Sequence, residues 1–488
     1  MEKHTPELFL DLSEGAVLSF MGQSWRIIRC RGMGRCAKVY HAVSSEGGAQ
    51  LAIKAFRREE KYRLVFIKEI RNLDAVYMNR HIASVLGSFT HKGHPCLLFE
   101  LLEFNLKELH LKNAAVVETT NPNYLSLYLV QRLLEDIMKC LQHVHARGWV
   151  HADLKPANVM WCAQEGCWKV IDFGHSFQEG HQDFSQIQSF CYQSPEAKTW
   201  NAFILQHSNA PRGRKLSDKP QSCTSAVDIW SVGCIVAGAF TGIKLYEQGD
   251  VVPGGCQQCR QKDCETLKCE CEPLIEAIIN QRPIDNHIPK INDIVTDLRD
   301  LLIQMLQCTF EDRPTASACL QHSFFTHKLK PSYKDLLLLP TRILQLDNVT
   351  NDQEKGGTTG DYTDIIDDLR EECEKFGIVR KIVLPKEEEN KNKAFVEFED
   401  ALDCENAQRG LVGRQFDGKP LLATFYPIDD YRSQILGTAD DHLTTGISYP
   451  SHRTRSLDRK DDHGRDIRVW RYNWDSPARR RSDAGEGF

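Results

Sequence analysis

The residues best equipped for chemistry in this 488-residue chain lie in the string VHADLKPANVMW, residues 150–161, and in VIDFGHSF, which opens at Val170. Asp153 follows His151 closely, Lys155 and Asn158 come next, and Asp172 heads a triplet completed by Phe173 and Gly174. A carboxylate such as Asp153 can accept the hydrogen bond of a substrate hydroxyl and take its proton late in a transfer. Asn158 and Asp172 supply hard oxygen atoms of the kind that hold magnesium against phosphates. This set of side chains is suited to phosphoryl transfer onto a hydroxyl.

Such a site needs a nucleotide cradle, and the upstream sequence supplies one. In RGMGRCAKVYHAV, residues 31–43, Gly32 and Gly34 let the backbone approach a phosphate, although Ala37 stands where a third glycine would complete the pattern. The run lies between two β-like apolar segments and precedes LAIKAF, where Lys54 is placed to pair phosphates. An amphipathic segment, KYRLVFIKEIRNLDAV, follows and carries Glu69, the natural partner of Lys54. Without the catalytic strings, Lys54 would read as a solvated strand lysine and Glu69 as a surface charge.

The order of these motifs resembles that of the protein kinases. The DLKPxN form is typical of serine/threonine members, in which the residue at Lys155 contacts the transferred phosphate. The resemblance implies a bilobal kinase fold over residues 20–328, using ATP and Mg2+. It makes Asp153 and Lys155 catalytic, and it makes Gly32, Gly34, Val39, Lys54, Glu69, Asn158 and Asp172 the nucleotide-binding set, with Asn158 and Asp172 on the metal. Further down, YQSPEA places Glu196 at the end of the activation segment, SAVDIWSVGC places Asp228 and Trp230 on a buried helix, and EDRPTA supplies Arg313. In kinases such a Glu and such an Arg form a buried ion pair.

One departure concerns control. Ala152 occupies the position before Asp153 where regulated kinases carry an arginine that pairs with a phosphate on the activation segment. Activity independent of phosphorylation in that segment is therefore expected, despite Ser176, Ser185 and Ser189 within it.

Composition is consistent with this reading. With 41% hydrophobic residues the chain can bury two or three cores. No continuous apolar run approaches the ~18 residues of a membrane span, and the acidic N-terminal stretch is unlike a secretory signal, so an intracellular protein without membrane partners is expected. The 18 cysteines are scattered rather than framing a small domain, which favours reduced thiols. A formal net charge of −6 gives no support to general nucleic-acid binding.

After a leucine-rich linker, residues 329–340, the pattern of residues 341–430 reads β (ILQLDNV), helix (TDIIDDLREECEKFG), β (IVRKIVLP), β (KAFVEFED), helix (ALDCENAQRGLVG) and β (PLLATFYP). This βαββαβ order is that of an RNA-recognition-motif fold, and the overall class is α+β. Such folds stack bases on aromatic residues of the first and third strands, but Gln345 and Lys393 stand there instead. GRQFDGK contains Arg414 and Phe416, and the first helix is acidic at Asp364, Asp367, Asp368, Glu371 and Glu372. The combination resembles the UHM (U2AF homology motif) subfamily of splicing factors, which bind peptides. That resemblance implies Phe416 stacking on a ligand tryptophan, Arg414 closing the pocket, and the acidic helix attracting basic residues before that tryptophan.

A kinase followed directly by a UHM resembles the family of kinases interacting with stathmin. Membership implies phosphorylation of splicing factors and stathmin-like proteins on serine followed by proline, with recruitment of splicing factors that carry tryptophan motifs, in the nucleus and partly the cytoplasm. Gln193 stands where proline-directed kinases commonly have arginine, which leaves the proline preference open. Two alternatives compete with the enzyme: a catalytically inactive scaffold on a kinase fold, and a kinase whose second domain binds RNA. The complete catalytic set disfavours the first, and Gln345 and Lys393 disfavour the second.

Two segments fall outside these patterns. Cys256, Cys259, Cys264, Cys269 and Cys271 crowd a short insertion, a density that suits thiolate-bound zinc, although a reduced cysteine-rich loop is the plainer reading. The tail, residues 431–488, is basic and poor in core formers, and is expected to be disordered. Within it Trp474 follows Arg465, Arg468 and Arg471, resembling a UHM ligand, and a flexible chain from Pro427 spans roughly 40 Å, enough to reach the same molecule's pocket. A basic nuclear-targeting tail is the plainer reading.

Overall fold

The computed structural model describes residues 9–20, 22–46, 48–116, 124–207, 219–242, 245, 290–349, 359–385, 392–416 and 418–436, with the backbone of 454–456 and 469–471. The cysteines of the insertion, Cys256 to Cys271, and Trp474 lie outside the described residues. The chain forms two compact units, one built from residues 1–66, 84–101 and 438–488, the other from residues 67–83 and 102–437.

The first unit is a six-stranded antiparallel sheet of β1 (Val17–Phe20), β2 (Gln23–Met33), β3 (Ala37–Ser44), β4 (Gln50–Phe56), β5 (Val85–His91) and β6 (His94–Glu100), in the order β1-β2-β3-β4-β6-β5. Alternation along β3 and β4 sends Tyr40, Ala42, Leu51 and Ile53 into one core with Trp25 and Leu98. Helix α1 (Glu60–Ala75) starts in this unit, and from Ile67 onward it belongs to the second, where Glu69, Asn72 and Leu73 are buried. Two three-residue strands of the tail, β18 (Thr454–Ser456) and β19 (Val469–Arg471), pair antiparallel with each other.

The second unit opens with helices. The first is α2 (Leu106–Val116), and α3 (Leu127–His145) is held at its N-terminus by Ser126, whose hydroxyl accepts from the Leu129 N–H. Helices α4 (Pro195–Gln206), α5 (Ala226–Thr241), α6 (Ile291–Met305) and α7 (Ala316–Leu320) follow. α5 is apolar on all sides and almost wholly buried, as a helix without a polar face must be. Short strands accompany these helices: β7 (Phe104–Asn105), just ahead of α2, joins β9 (Val159–Cys162) and β10 (Cys167–Val170), between α3 and α4, in one small sheet, while β8 (Trp149–Val150) pairs with β11 (Phe177–Gln178).

The segment read as a linker contains α8 (Tyr333–Leu338), closed by a capping box in which Ser332 and Asp335 each satisfy the other's backbone N–H. A four-stranded antiparallel sheet then follows the order β13-β14-β12-β17, from β12 (Ile343–Asp347), β13 (Val379–Val383), β14 (Lys393–Phe398) and β17 (Leu422–Phe425). Helices α9 (Thr359–Glu374) and α10 (Ala401–Leu411) cover one face, burying Leu344, Leu346, Val396 and Phe398. A small hairpin, β15 (Gln415–Phe416) with β16 (Lys419–Pro420), precedes the last strand. The opposite face is covered by the chain's own continuation, α11 (Ile428–Asp430) and the wound turn Tyr431–Leu436, through Ile428 and Tyr431. Tyr431, read from sequence as the first residue of the tail, is therefore part of this core.

No helix among the described residues is long and apolar enough to cross a membrane. The described cysteines carry free thiols, and burial pushes the Cys96 thiol up to about 12.

Candidate active site

The nucleotide-side residues of the first unit line up across its sheet. Gly32 pairs with Val39, Val39 with Lys54, and Lys54 with Leu97, so the residues read from sequence as a cradle form one cross-strand row. The β2–β3 turn spans Gly34–Cys36 and is closed by the Gly34 N–H donating to Ala37 O at 2.9 Å. A Cβ at Gly32 would meet nothing within 4 Å, so the backbone there is open to a close-approaching ligand. The Lys54 ammonium lies 5.2 Å from the centroid of the Phe56 ring.

In the second unit residues 151–158 form the loop between β8 and β9. Its shape is fixed by Asp228 on buried α5, whose carboxylate accepts from the backbone N–H groups of His151 and Ala152, both at 2.8 Å, and from His145 Nε2 at 3.0 Å. Ala152 has φ 63°, a left-handed conformation that costs a non-glycine residue about 1–2 kcal/mol. Two charge-assisted bonds on adjacent amides offset that strain.

The loop brings Asp153, Lys155 and Asn158 together. Lys155 Nζ donates to Asp153 Oδ2 at 2.7 Å, and Asn158 Nδ2 donates to the Asp153 backbone oxygen at 2.8 Å and to Oδ2 at 3.3 Å. Asp153 Oδ1 accepts the Ser189 hydroxyl at 2.8 Å, and Lys155 Nζ is 3.1 Å from the same hydroxyl. Ser189, read from sequence only as an activation-segment serine, is thus a direct partner of Asp153 and Lys155. Nothing in sequence spacing links residues 153 and 189.

Asp172 has φ 66° and opens the single 3-10 turn Phe173–His175. Its N–C connection to the loop is direct, because the Ile171 N–H donates to Asn158 O at 3.0 Å and His151 Nε2 lies 3.1 Å from Ile171 O. A Cβ on Gly174 would sit 3.4 Å from Asp172 Oδ1 and 3.6 Å from Glu69 Oε2, so this glycine is flanked by both carboxylates. Asn72, one helical turn beyond Glu69, donates to Phe173 O at 2.8 Å and to Ser176 O at 2.9 Å, tying α1 to the DFG segment.

The activation segment is held by side-chain contacts. Lys68 on α1 pairs with Asp183 at 2.6 Å, and Trp200 Nε1 donates to Ser185 O at 2.9 Å. Ser176 is buried, with its hydroxyl donating to His151 O at 3.0 Å. Farther along, Gln188 has φ 56° and a buried side chain bonded to Val227 O and Ser231 Oγ, while the Gln193 amide donates to Gln188 O at 3.2 Å. The ion pair expected of Glu196 and Arg313 is present and two-pronged, at 2.6 and 2.9 Å.

In the four-stranded domain Arg414 Nη1 contacts Glu372 of α9 at 3.1 Å and its guanidinium lies 5.6 Å from the Phe376 ring centroid. The Glu372 carboxyl is held below its usual range by Lys375 first and by Arg414 with it. Phe416 is partly buried beside the core, and Asp364, Asp367, Asp368 and Glu371 are exposed along α9. On the sheet face where bases would stack, Gln345 is buried and bonded to the Asp347 carboxylate at 3.0 Å. The third strand does carry an aromatic there, Phe395, which sequence reading passed over. It is only 1% exposed, beneath Tyr426 and Tyr431.

Residues 25–325 match the family model for the protein kinase domain. The chain belongs to the protein kinase family. Residues 366–422 of this kinase match the RNA recognition motif. The serine/threonine-protein kinase Kist of Homo sapiens is 34% identical over 430 residues, which is 85% of this chain and 94% of that protein. Kist of Mus musculus matches equally, at 34% over the same shares. The dual specificity tyrosine-phosphorylation-regulated kinase 2 of Drosophila melanogaster is 30% identical over 258 residues, 51% of this chain and 30% of that protein. The chain is thus a serine/threonine protein kinase with a C-terminal domain of RNA-recognition-motif type, and the kinase domain implies the use of ATP with Mg2+.

Proposed function

We propose that Asp153 is the acceptor of the substrate hydroxyl proton and Lys155 the group that meets the transferred phosphate. The observation that carries this reading is Ser189: a serine hydroxyl sits 2.8 Å from Asp153 Oδ1 with the Lys155 ammonium 3.1 Å from the same oxygen. That is the arrangement a substrate serine requires, with a base for its proton and a cation for the incoming charge. Gly32, Val39 and Lys54 in their cross-strand row, with Gly34 in the turn beside it, make the nucleotide set, and Glu69 is the acid assigned to Lys54. Asn158 donates its amide nitrogen to Asp153 O, and its amide oxygen together with the Asp172 carboxylate would supply hard oxygen ligands of the kind magnesium takes. When bound, the metal neutralises charge on the phosphates. Asp153→Asn is expected to lower kcat by about 100-fold or more with the KM for ATP little changed; wild-type turnover in that variant would remove Asp153 from its role.

The acceptor serine is followed by proline. Gln188 O, next to Ser189, is already bonded by Gln193, so a substrate residue bearing an N–H at the following position finds no acceptor there. Proline brings no N–H and loses nothing. Gln193 here does with a neutral amide what an arginine would do with charge. Splicing factors and stathmin-like proteins are the substrates this family reading implies, acting in the nucleus with a cytoplasmic share.

The second domain recruits partners through a tryptophan-bearing peptide. Arg414 anchored on Glu372, partly buried Phe416 and the exposed acids of α9 supply a ring to stack on, a lid and a negative surface. The covered sheet face disfavours RNA as the ligand. Titrating a basic tryptophan peptide against the full chain should give saturable binding that Phe416→Ala weakens at least tenfold; equal affinity in both, or preference for an oligonucleotide, would contradict this.

A further inference from the structure

The hairpin β9–β10 connects the two residues assigned to the metal. β9 starts immediately after Asn158, β10 ends one residue before Ile171, and the Ile171–Asn158 hydrogen bond ties its feet together just ahead of Asp172. Its far end, residues 163–166, is gripped by the RNA-recognition-type domain.

The grip has three parts. The Gln164 amide donates to Glu399 O and accepts from the Ala401 N–H, both at 2.9 Å. Trp161 Nε1, on β9 itself, donates to the carbonyl of Pro340, the last linker residue before the domain, at 2.7 Å. The third part centres on Asp429, which follows the last strand of the domain. One oxygen accepts from Arg132 Nη2 at 2.8 Å and the other from Arg80 Nη1 at 3.2 Å. Each arginine also donates to a carbonyl of the hairpin tip, Arg132 to Gly166 O at 2.8 Å and Arg80 to Glu165 O at 2.9 Å. Burial would push the Asp429 carboxyl up, but Arg132 and Arg80 hold it below its usual range.

The contact is close at Gly166. Gly166 has φ 64°, and a Cβ there would lie 3.1 Å from the Ile428 side chain. Arg132 carries the connection inward as well, bonding Asp136, whose carboxylate accepts from the Trp168 N–H of β10 at 2.9 Å.

We infer that the RNA-recognition-type domain is a brace for the kinase, with Asp429 and Gln164 as positioning residues that fix the β9–β10 hairpin and through it the spacing of Asn158 and Asp172. The domain then has a role in turnover that is separate from recruiting partners. Coupling between sites of this kind is typically worth about 5–150-fold.

The test uses the full chain carrying Asp429→Ala, Gln164→Ala or the conservative Asp429→Glu. Hydrogen–deuterium exchange of residues 159–171 is read without nucleotide or metal, and kcat and KM are measured on a serine peptide that lacks tryptophan. Asp429→Ala and Gln164→Ala should each speed exchange in the hairpin and lower kcat about tenfold with the peptide KM unchanged, and Asp429→Glu should recover part of both. Two results would overturn the brace: hairpin exchange and kcat within twofold of the parent in both alanine variants, or exchange rising evenly over the whole chain, which is general unfolding rather than loss of a local hold.

Discussion

Glu196→Gln is the substitution whose cost the structure defines most sharply. Arg313 has a fully buried side chain and spends every donor: Nη1 and Nη2 on Glu196, with further bonds to Gln307 O, Ala226 O and Cys308 O, while the guanidinium lies 5.0 Å from the Trp230 ring centroid. Neutralising Glu196 leaves that guanidinium in place without its counter-charge. Removing one partner of a buried pair costs roughly 3–5 kcal/mol, a large share of the ~5–15 kcal/mol that holds a domain folded. At about 2–4 °C per kcal/mol for a unit of this size, the melting temperature should fall by about 6–20 °C, read by differential scanning fluorimetry or circular dichroism. Arg313→Leu should cost at least as much, because three backbone oxygens lose their donor. Replacing both residues by leucine should cost less than the sum of the two single changes, since neither charge is then stranded. A Glu196→Gln protein melting within about 1 °C of its parent would refute the reasoning.

Two further outcomes are specific. Gln193→Ala frees Gln188 O to accept a substrate N–H, so the preference for proline over alanine after the acceptor serine should shrink about fivefold, the worth of roughly one hydrogen bond; an unchanged ratio on paired peptides would show that Gln193 does not set it. Burial lowers the His81 pKa below 6.5 despite Asp136 at 3.7 Å, so the folded state resists a proton that the unfolded chain accepts. Stability is then complete above about pH 6.5 and declines as acid carries the pH down through the folded value. The melting temperature should drop between pH 7.5 and 5.5, less so in His81→Gln, and a flat profile would contradict the assignment.

What the sequence made legible was what short strings carry. The loop from His151 to Asn158, the DFG triplet and the βαββαβ order of the second domain each depend on local spacing or periodicity, while the Glu196–Arg313 pair was implied by the kinase resemblance. The partners of those residues did not show. Asp228 was legible as a buried helix residue, but its bonds to the amides of His151 and Ala152 depend on how α5 packs under the loop. Ser189 looked like a modification site until folding set it on Asp153. Asp429 drew no reading from sequence, yet it bonds Arg132, 297 positions away, and no periodicity encodes such a contact. Phe395 and Tyr431 were missed together, because the aromatic on the sheet face and the residue that covers it acquire meaning only once the chain turns back over the sheet.

Transfer of labelled phosphate from ATP to an array of serine, threonine and tyrosine peptides, with Asp172→Asn alongside and with phosphatase-treated enzyme as a second sample, tests the assigned site most directly. Incorporation should fall on serine, favour proline after it, vanish in Asp172→Asn and survive phosphatase, since Ala152 offers an activation-segment phosphate no arginine and Lys68 pairs with Asp183 in that segment. Equal transfer by Asp172→Asn, or no transfer by the folded parent chain supplied with ATP and magnesium, would contradict the site described here.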